Sequence, residues 1–300
     1  MSWGGGGGPP DLDEAPGRHH AERGGRSRLL AGVRQEGAKG VLIAVVSTIV
    51  VFAILVVIVV RSPNWPTVRQ AFFNGQEFRD TFPTIASRFV RNVEYFMIAE
   101  MFILGWALIL AVMRSLPGPV FFPLRLMSIA YTDLFRGIPT ILVVYLLGFG
   151  VPAMQLPGVP SSPTFWAVIA LILSYSAYVA EVYRAGIESI HPSQVASARS
   201  LGLTRVQSLR FVVVPQAVRR VIPPLLNDFV GLQKDTALVA FVVAIPEAFK
   251  QAQLAQYADF NFTPYLAAAL MFLIVTIPMT RLVDWLIARE RARRQAGAAL

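Results

Sequence analysis

The segment Gln194-Val195-Ala196-Ser197-Ala198-Arg199-Ser200-Leu201-Gly202 lies in a polar loop between two long apolar stretches of the chain. Its middle is mostly alanine and serine, whose small side chains let another protein surface approach the backbone. Pro192 suits the first turn of a helix, and Gly202 suits the position just past its end, where a left-handed conformation is needed. The sequence therefore predicts a short helix at about 192–202 that is shaped for close contact.

A second short helix is predicted directly after this one. Thr204 and Gln207 have the spacing of a capping box, and Pro215 is expected to end or bend the helix that they start. Val195, Ala198 and Leu201 recur at helical spacing and form a narrow apolar stripe. An amphipathic helix resting on lipid headgroups is the alternative, but such helices usually carry large apolar anchors. The small residues favour a helix–turn–helix that docks on a protein.

The composition places this loop in a membrane protein. Hydrophobic residues make up 55% and charged residues 15% of the 300 residues, and the mean hydropathy is +0.55. Apolar runs of about 20 residues are long enough to cross the roughly 30 Å of hydrocarbon in a bilayer. The expected fold is all-α, a polytopic helical membrane protein with six spans, at 41–60, 91–113, 137–156, 165–185, 219–245 and 263–286.

The basic residues predict the orientation of these spans. If the N-terminus is cytoplasmic, most of the 27 Lys and Arg residues fall in inside segments, as is typical of cytoplasmic loops. The net charge of +9 is then a property of membrane topology and does not indicate nucleic acid. Both termini are predicted to be cytoplasmic. The outside segments hold Arg61, Arg69, Arg79, Arg88, Arg91 and Lys250.

The N-terminal part differs from the rest of the chain. Residues 1–40 are predicted to be a disordered cytoplasmic tail, and the glycines at 4–8 lack the Gly-Lys-Ser/Thr of a phosphate loop. An extra N-terminal transmembrane helix at 41–60 is followed by an extracytoplasmic loop at 61–90. The compact helical core is expected at 91–286, with a basic cytoplasmic tail at 287–300.

Metal and redox chemistry are not expected. The chain has no cysteine, and its three histidines, His19, His20 and His191, are too far apart in sequence to suggest a metal site. His191, just before Pro192, is expected to be a helix cap or an interface residue.

Several blocks of the chain resemble the permease subunits of polar amino-acid ABC importers, the histidine/glutamine/glutamate permease family. The resemblance covers about 91–286, and the blocks occur in the right order between the right spans. They are Arg136-Gly137-Ile138-Pro139, Ser176-Ala177-Tyr178-Val179-Ala180-Glu181, Arg184-Ala185-Gly186-Ile187, Gln194 to Gly202, Val214-Pro215-Gln216-Ala217, Pro223 to Asn227, and Lys234-Asp235-Thr236-Ala237-Leu238.

The resemblance implies a type I ABC importer transmembrane fold with one extra N-terminal span, in which the loop is the coupling helix. The implied partners are a cytoplasmic ATPase dimer that binds ATP and Mg, a second identical or similar permease subunit, and an extracytoplasmic amino-acid-binding protein. No cofactor is expected on this chain. Ala196 departs from the family, which has a glutamate there. The ATPase-coupling residues implied are Gln194, Val195, Ala196, Ser197, Ala198, Arg199, Leu201 and Gly202.

Polar residues inside the spans are the candidates for a transport path. A charged side chain in the hydrocarbon core costs at least about 2.5–3.5 kcal/mol, so such residues should face the bundle or a cavity. Asp228 and Lys234 could bind the ammonium and carboxylate of a zwitterion. Alternatively, Lys234 pairs with Asp235 and Glu100 packs against a neighbouring span, both with structural duty. The candidates are Glu100, Asn227, Asp228, Lys234, Asp235 and Thr236.

Structural roles are expected at the inner ends of two spans. Gly137 and Pro139 predict a fixed bend at the start of span 3, and Arg136 is expected at the lipid headgroups or paired with Asp133. Glu181 and Arg184 are predicted to form a local pair.

The leading hypothesis is a non-catalytic permease subunit of an ATP-driven importer in a bacterial plasma membrane. It has no nucleotide-binding motif of its own. The arginine-rich N-terminus and extra span resemble glutamate-type permeases, which favours glutamate or glutamine as the substrate. An ATP-independent carrier is the alternative, and an intramembrane enzyme using Glu100, Asp228 and Lys234 is the third.

Overall fold

The computed structural model describes residues 37–242 and 246–298, and within these ranges the chain is helical without strands. The predicted all-α class is therefore confirmed. The predicted tail 1–40 lies almost wholly outside the described residues. The helices are α1 Gly37–Val60, α2 Trp65–Phe72, α3 Gly75–Ser115, α4 Phe122–Gly137, α5 Thr140–Tyr145, α6 Val151–Ala153, α7 Pro163–Glu188, α8 Pro192–Ser200, α9 Arg205–Ser208, α10 Val214–Asp235, α11 Ala248–Asp259 and α12 Thr263–Ala298.

Three irregular turns join some of these helices directly. A π-helical turn at Leu146–Gly150 links α5 to α6, and another at Leu209–Val213 links α9 to α10. A 3₁₀ turn at Thr236–Phe241 continues from the end of α10. Such turns inside helices often occur at functional sites.

Four helical segments in the described part are long and apolar enough to cross a membrane: 39–60, 65–115, 163–188 and 263–289. The bent pair α4 and α5–α6 counts as a fifth. The predicted span 219–245 is not among them, because α10 carries Arg219, Arg220, Asp228, Lys234 and Asp235. A crossing at α10 therefore remains a prediction.

The region 61–90, predicted to be an extracytoplasmic loop, is instead mostly helical. It contains α2 and the first part of α3, which then runs through the predicted span 91–113 to Ser115. Asn74 caps α3, since its side chain accepts hydrogen bonds from the N–H groups of Gln76 (3.0 Å) and Glu77 (3.3 Å). The prediction of a loop was wrong because the charged residues of this region made it look irregular. The region forms a helix that packs against α11 and α12.

The bend predicted at the start of span 3 is present. Helix α4 ends at Gly137, Ile138 is extended, and the next helix leaves at 101°. Proline disfavours the helical conformation of the residue before it, which explains why the chain turns at Ile138 and Pro139. The end of α4 lies against α7, where Arg136 contacts Glu181 and Tyr178.

The chain divides into two compact units, 1–66 and 67–300. In the first, the apolar side chains of α1 are exposed along its length, as expected of a helix solvated by lipid. In the second, α3 and α7 form the centre of the main core, together with α5, α10 and the 3₁₀ turn. A smaller core joins α3 to α11 and α12.

Helices α7 and α10 are in close contact at Gly186. A Cβ atom added there would overlap Cγ1 of Val221. We expect Gly186→Leu to force the two helices apart and to lower the free energy of unfolding by about 1–3 kcal/mol. The control is Gly105→Leu, where an added Cβ has open space in helix α3. Thermal unfolding in detergent should show a loss for the first variant and none for the second, and equal losses would contradict this close contact.

Candidate functional site

The short helix predicted at 192–202 is present as α8, Pro192–Ser200. His191 caps it as expected, because its Nδ1 accepts a hydrogen bond from the N–H of Ser193 at 3.2 Å. Gly202 has φ +89°, the left-handed conformation that favours glycine after a helix end. Its N–H donates to the carbonyl of Arg199 at 3.0 Å, so both ends of α8 are fixed by local sequence.

The capping box that starts the second helix is also formed. Oγ1 of Thr204 accepts from the N–H of Gln207 at 3.2 Å, and Oε1 of Gln207 accepts from the N–H of Thr204 at 2.8 Å. This second helix does not end at Pro215, where it was predicted to end or bend. It passes through the π-helical turn into α10, and Pro215 lies in the first turn of α10, where its missing N–H costs little.

The apolar stripe of α8 is divided between two environments. Ala198 is buried and half-buried Val195 packs against Ile190, Val213 and Ala217, whereas Leu201 is 82% exposed. Val195 and Ala198 therefore anchor α8 against its own chain, and their contact with a partner stays a prediction. A helix this short needs such an anchor to remain in place.

The outer face of the helix pair consists of exposed residues. From the predicted set, these are Gln194, Ala196, Ser197, Arg199, Leu201 and Gly202. Sequence reasoning missed two large apolar side chains that are also exposed, Val206 of α9 (73% exposed) and Phe211 of the following π-helical turn (63% exposed). The sequence could have indicated these two residues, because large apolar side chains that interrupt a polar loop and belong to no apolar helix face often mark a contact site.

An ion-pair cluster lies at the end of α7 that leads into α8. The carboxylate of Glu181 contacts Arg184 on the same helix, Arg114 of α3 at 3.3 Å and Arg136 of α4 at 3.9 Å. The predicted Glu181–Arg184 pair is therefore present. Arg136 was expected at the headgroups or with Asp133, but it lies beside Glu181 and over the ring of Tyr178.

A second group of polar residues lies between α3, α7 and α10. Oδ2 of Asp235 accepts a hydrogen bond from the hydroxyl of Tyr175 at 2.9 Å. Oδ2 of Asp228 is buried without a hydrogen-bond partner in the described part of the chain, and Asp228 lies within electrostatic range of both Glu100 and Tyr175. We call these three carboxylates and one tyrosine the carboxylate cluster: Glu100, Asp228, Asp235 and Tyr175.

The remaining predicted path residues lie elsewhere. Asn227 and Lys234 are exposed, and Lys234 forms no ion pair with Asp235 within the described ranges. Tyr175 is the hydrogen-bond partner of Asp235 in its place. Thr236 is fully buried and bonded to Asn92 of α3, so it does not face a path.

No cluster of three or more potential metal ligands occurs among the described residues. What the arrangement offers is an anchored, exposed helix pair at one end of the bundle and a group of carboxylates between the helices.

Comparison with known proteins decides the family. Residues 120–292, more than half of the chain, match the family described as binding-protein-dependent transport system inner membrane component. The chain belongs to this family.

Relatives and a solved structure agree with that family. The chain is 34% identical to the "Probable amino-acid permease protein YxeN" of Bacillus subtilis over 68% of this chain and 89% of that protein. It is 34% identical to the "Probable glutamine ABC transporter permease protein GlnM" of the same organism, over 64% and 85%. The structure titled "Crystal structure of an amino acid ABC transporter with histidines" matches with a TM-score of 0.62 and 29% identity, over 69% of this chain and 94% of that one.

The chain is thus a multi-pass plasma-membrane permease with the type I ABC importer fold. The family match begins just before α4 and includes the bend, helices α8 to α10 and, of the ion-pair cluster, Arg136, Glu181 and Arg184. Helices α1, α2 and α3 precede the matched residues.

Proposed function

We propose that this ABC permease carries a polar amino acid, with glutamine as the first candidate, and that a separate ATPase drives it through the helix pair α8–α9. The outer face of that pair is the observation that carries the proposal. Leu201 at the end of α8, Val206 in α9 and Phe211 in the following π-helical turn are large apolar side chains exposed in a polar segment, and Val195 and Ala198 anchor α8 from behind. A surface of this kind fits a groove on a cytoplasmic protein.

The positions of the partners follow if the helix pair α8–α9 faces the cytoplasm. An ATPase dimer with ATP and Mg lies on the cytoplasmic side, an amino-acid-binding protein docks on the opposite side, and the pathway lies between two permease subunits. Both termini of the chain are cytoplasmic in this arrangement. The permease has no catalytic role of its own, because hydrolysis takes place on the ATPase.

The carboxylate cluster supports a particular class of substrate. Asp228 has a buried oxygen without a hydrogen-bond partner among the described residues, and an α-ammonium group is the natural partner of such a carboxylate. Glutamate would add a second negative charge beside Glu100, Asp228 and Asp235, whereas the side chain of glutamine is neutral. The cluster therefore favours glutamine over glutamate. It would also tolerate a cationic amino acid.

The test is to purify the permease with its ATPase and binding protein and to measure ATP hydrolysis in lipid nanodiscs with glutamine, glutamate or arginine. We expect glutamine to stimulate hydrolysis most strongly. Stronger stimulation by glutamate would contradict the role given to the carboxylates. Stimulation by arginine alone would exclude glutamine but retain the cluster as the binding site for the ammonium group.

A substitution at Asp228 tests the role of the carboxylate cluster separately from the rest of the complex. We expect Asp228→Asn to raise the concentration of substrate that gives half-maximal stimulation about tenfold or more, since it removes one charge-assisted hydrogen bond worth about 1.5–3 kcal/mol. Asp284→Asn changes an exposed carboxylate on α12 and should leave that concentration unchanged. Equal responses of the two variants would show that Asp228 does not contact the substrate.

A further inference from the structure

One buried side chain, Asn92 of α3, connects the end of α10 to the start of α11. It is completely buried. Its Nδ2 donates a hydrogen bond to Oγ1 of Thr236 at 3.3 Å, and its Oδ1 accepts from the N–H of Ala248 at 3.2 Å. Both polar atoms of one amide are thus used to hold two segments that lie 144 and 156 residues away in sequence.

The groups that Asn92 contacts are themselves well fixed. Thr236 is fully buried, and its hydroxyl donates to the carbonyl of Gln233 at 2.7 Å. Glu247 is also fully buried; it caps α11 by accepting from the N–H groups of Phe249 and Lys250, and it lies beside the Asn92 amide. Because a buried polar group without a partner is costly, these contacts define one arrangement of the two segments.

The position of Thr236 gives this contact a functional meaning. Asp235, the residue before it, is held by Tyr175 in the carboxylate cluster, while Thr236 is held by Asn92. Adjacent residues therefore tie the end of α10 to α7 on one side and to α3 on the other. A movement of the cluster on substrate binding would reach Thr236 directly and, through Asn92, the first turn of α11.

We propose that Asn92 is a positioning residue for transport, which keeps the end of α10 against the start of α11 and so holds the outer end of the path closed until the loaded binding protein docks. This rests on the proposed importer function, since it places α11 on the extracytoplasmic side. Asn92 does not touch the substrate; it acts through Thr236 and through the N-terminus of α11.

The test measures ATP hydrolysis by the complete complex, with and without the substrate-loaded binding protein. Asn92→Leu keeps a similar volume but removes both hydrogen bonds, and Thr236→Val removes the hydroxyl. We expect each to raise hydrolysis in the absence of binding protein about fivefold or more and to reduce the stimulation by loaded binding protein. The double variant should show no further increase, because both changes break the same contact.

Two controls separate this role from a general loss of packing. Thr236→Ser retains the hydroxyl and should behave like the unmodified protein. Ser128→Ala removes another buried hydrogen bond, from Ser128 to the carbonyl of Leu110, far from Asn92 in sequence, and should leave hydrolysis dependent on the binding protein. If Asn92→Leu does not assemble into the complex, ATP hydrolysis by Thr236→Val alone tests the proposal.

The proposal would be overturned if ATP hydrolysis by Thr236→Val still depended fully on the binding protein. It would also be overturned if Ser128→Ala raised hydrolysis in the absence of the binding protein. A failure of the importer function itself gives a different result, because the unmodified complex would then show no stimulation by the loaded binding protein.

Discussion

Replacing Gly202 with tryptophan is expected to abolish ATP-dependent uptake, although the protein still inserts into the membrane. Gly202 has φ +89° and is exposed at the end of α8. A side chain at this φ strains the backbone by about 1–2 kcal/mol, and the indole ring would occupy the outer face beside Leu201. The expected effect comes mainly from bulk, because an added Cβ meets no neighbouring atom within the chain.

Two variants distinguish bulk at the docking surface from backbone strain. Gly202→Ala has the same unfavourable φ with little bulk and should retain most uptake. Gly118→Trp introduces the same ring at a glycine that also has φ +89° and open surroundings, in the loop between α3 and α4. Normal uptake by Gly202→Trp, or an equal loss in Gly118→Trp, would show that the outer face of α8 is not the docking surface.

The second large effect is expected for Glu181→Ala. This carboxylate contacts guanidinium groups from three helices, and the side chains of Glu181, Arg114 and Arg184 are only 23–26% exposed. Removing one partner of a buried ion pair costs about 3–5 kcal/mol, whereas exposed pairs contribute less than about 1 kcal/mol. The partial burial of this cluster places the expected loss of stability near 2 kcal/mol or above, measured by thermal unfolding in detergent.

The matched control is Glu94→Ala. Glu94 pairs with Arg91 at 2.9 Å on the surface of α3, with the two side chains 47% and 48% exposed. We expect a loss below about 1 kcal/mol there. A loss for Glu181→Ala no greater than that for Glu94→Ala would mean that the three arginines find other partners, and that the cluster does not join α3, α4 and α7.

Local sequence was sufficient for the parts of the site that depend on neighbours in the chain. The cap at His191, the left-handed Gly202 and the Thr204–Gln207 capping box were all predicted, since each involves residues within a few positions. The bend at Pro139 was predicted for the same reason. Each of these features follows from backbone geometry that one or two residues impose.

Contacts between distant segments could not be predicted in this way. The partner of Asp235 is Tyr175, 60 residues away, and the partner of Thr236 is Asn92, 144 residues away. Helical spacing showed that Val195, Ala198 and Leu201 share a stripe, but only the packing of Val195 against Val213 and Ala217 shows which part faces inward. Similarly, the partner of Arg136 is Glu181, 45 residues away in the sequence.

The most direct test of the importer function is uptake of labelled glutamine by proteoliposomes that contain this permease. We expect uptake to require the ATPase, the binding protein and ATP on the side where α8 is exposed, and to stop when any of them is omitted. Uptake by the permease alone, driven by an ion gradient without ATP, would contradict the account and identify the chain as an independent carrier.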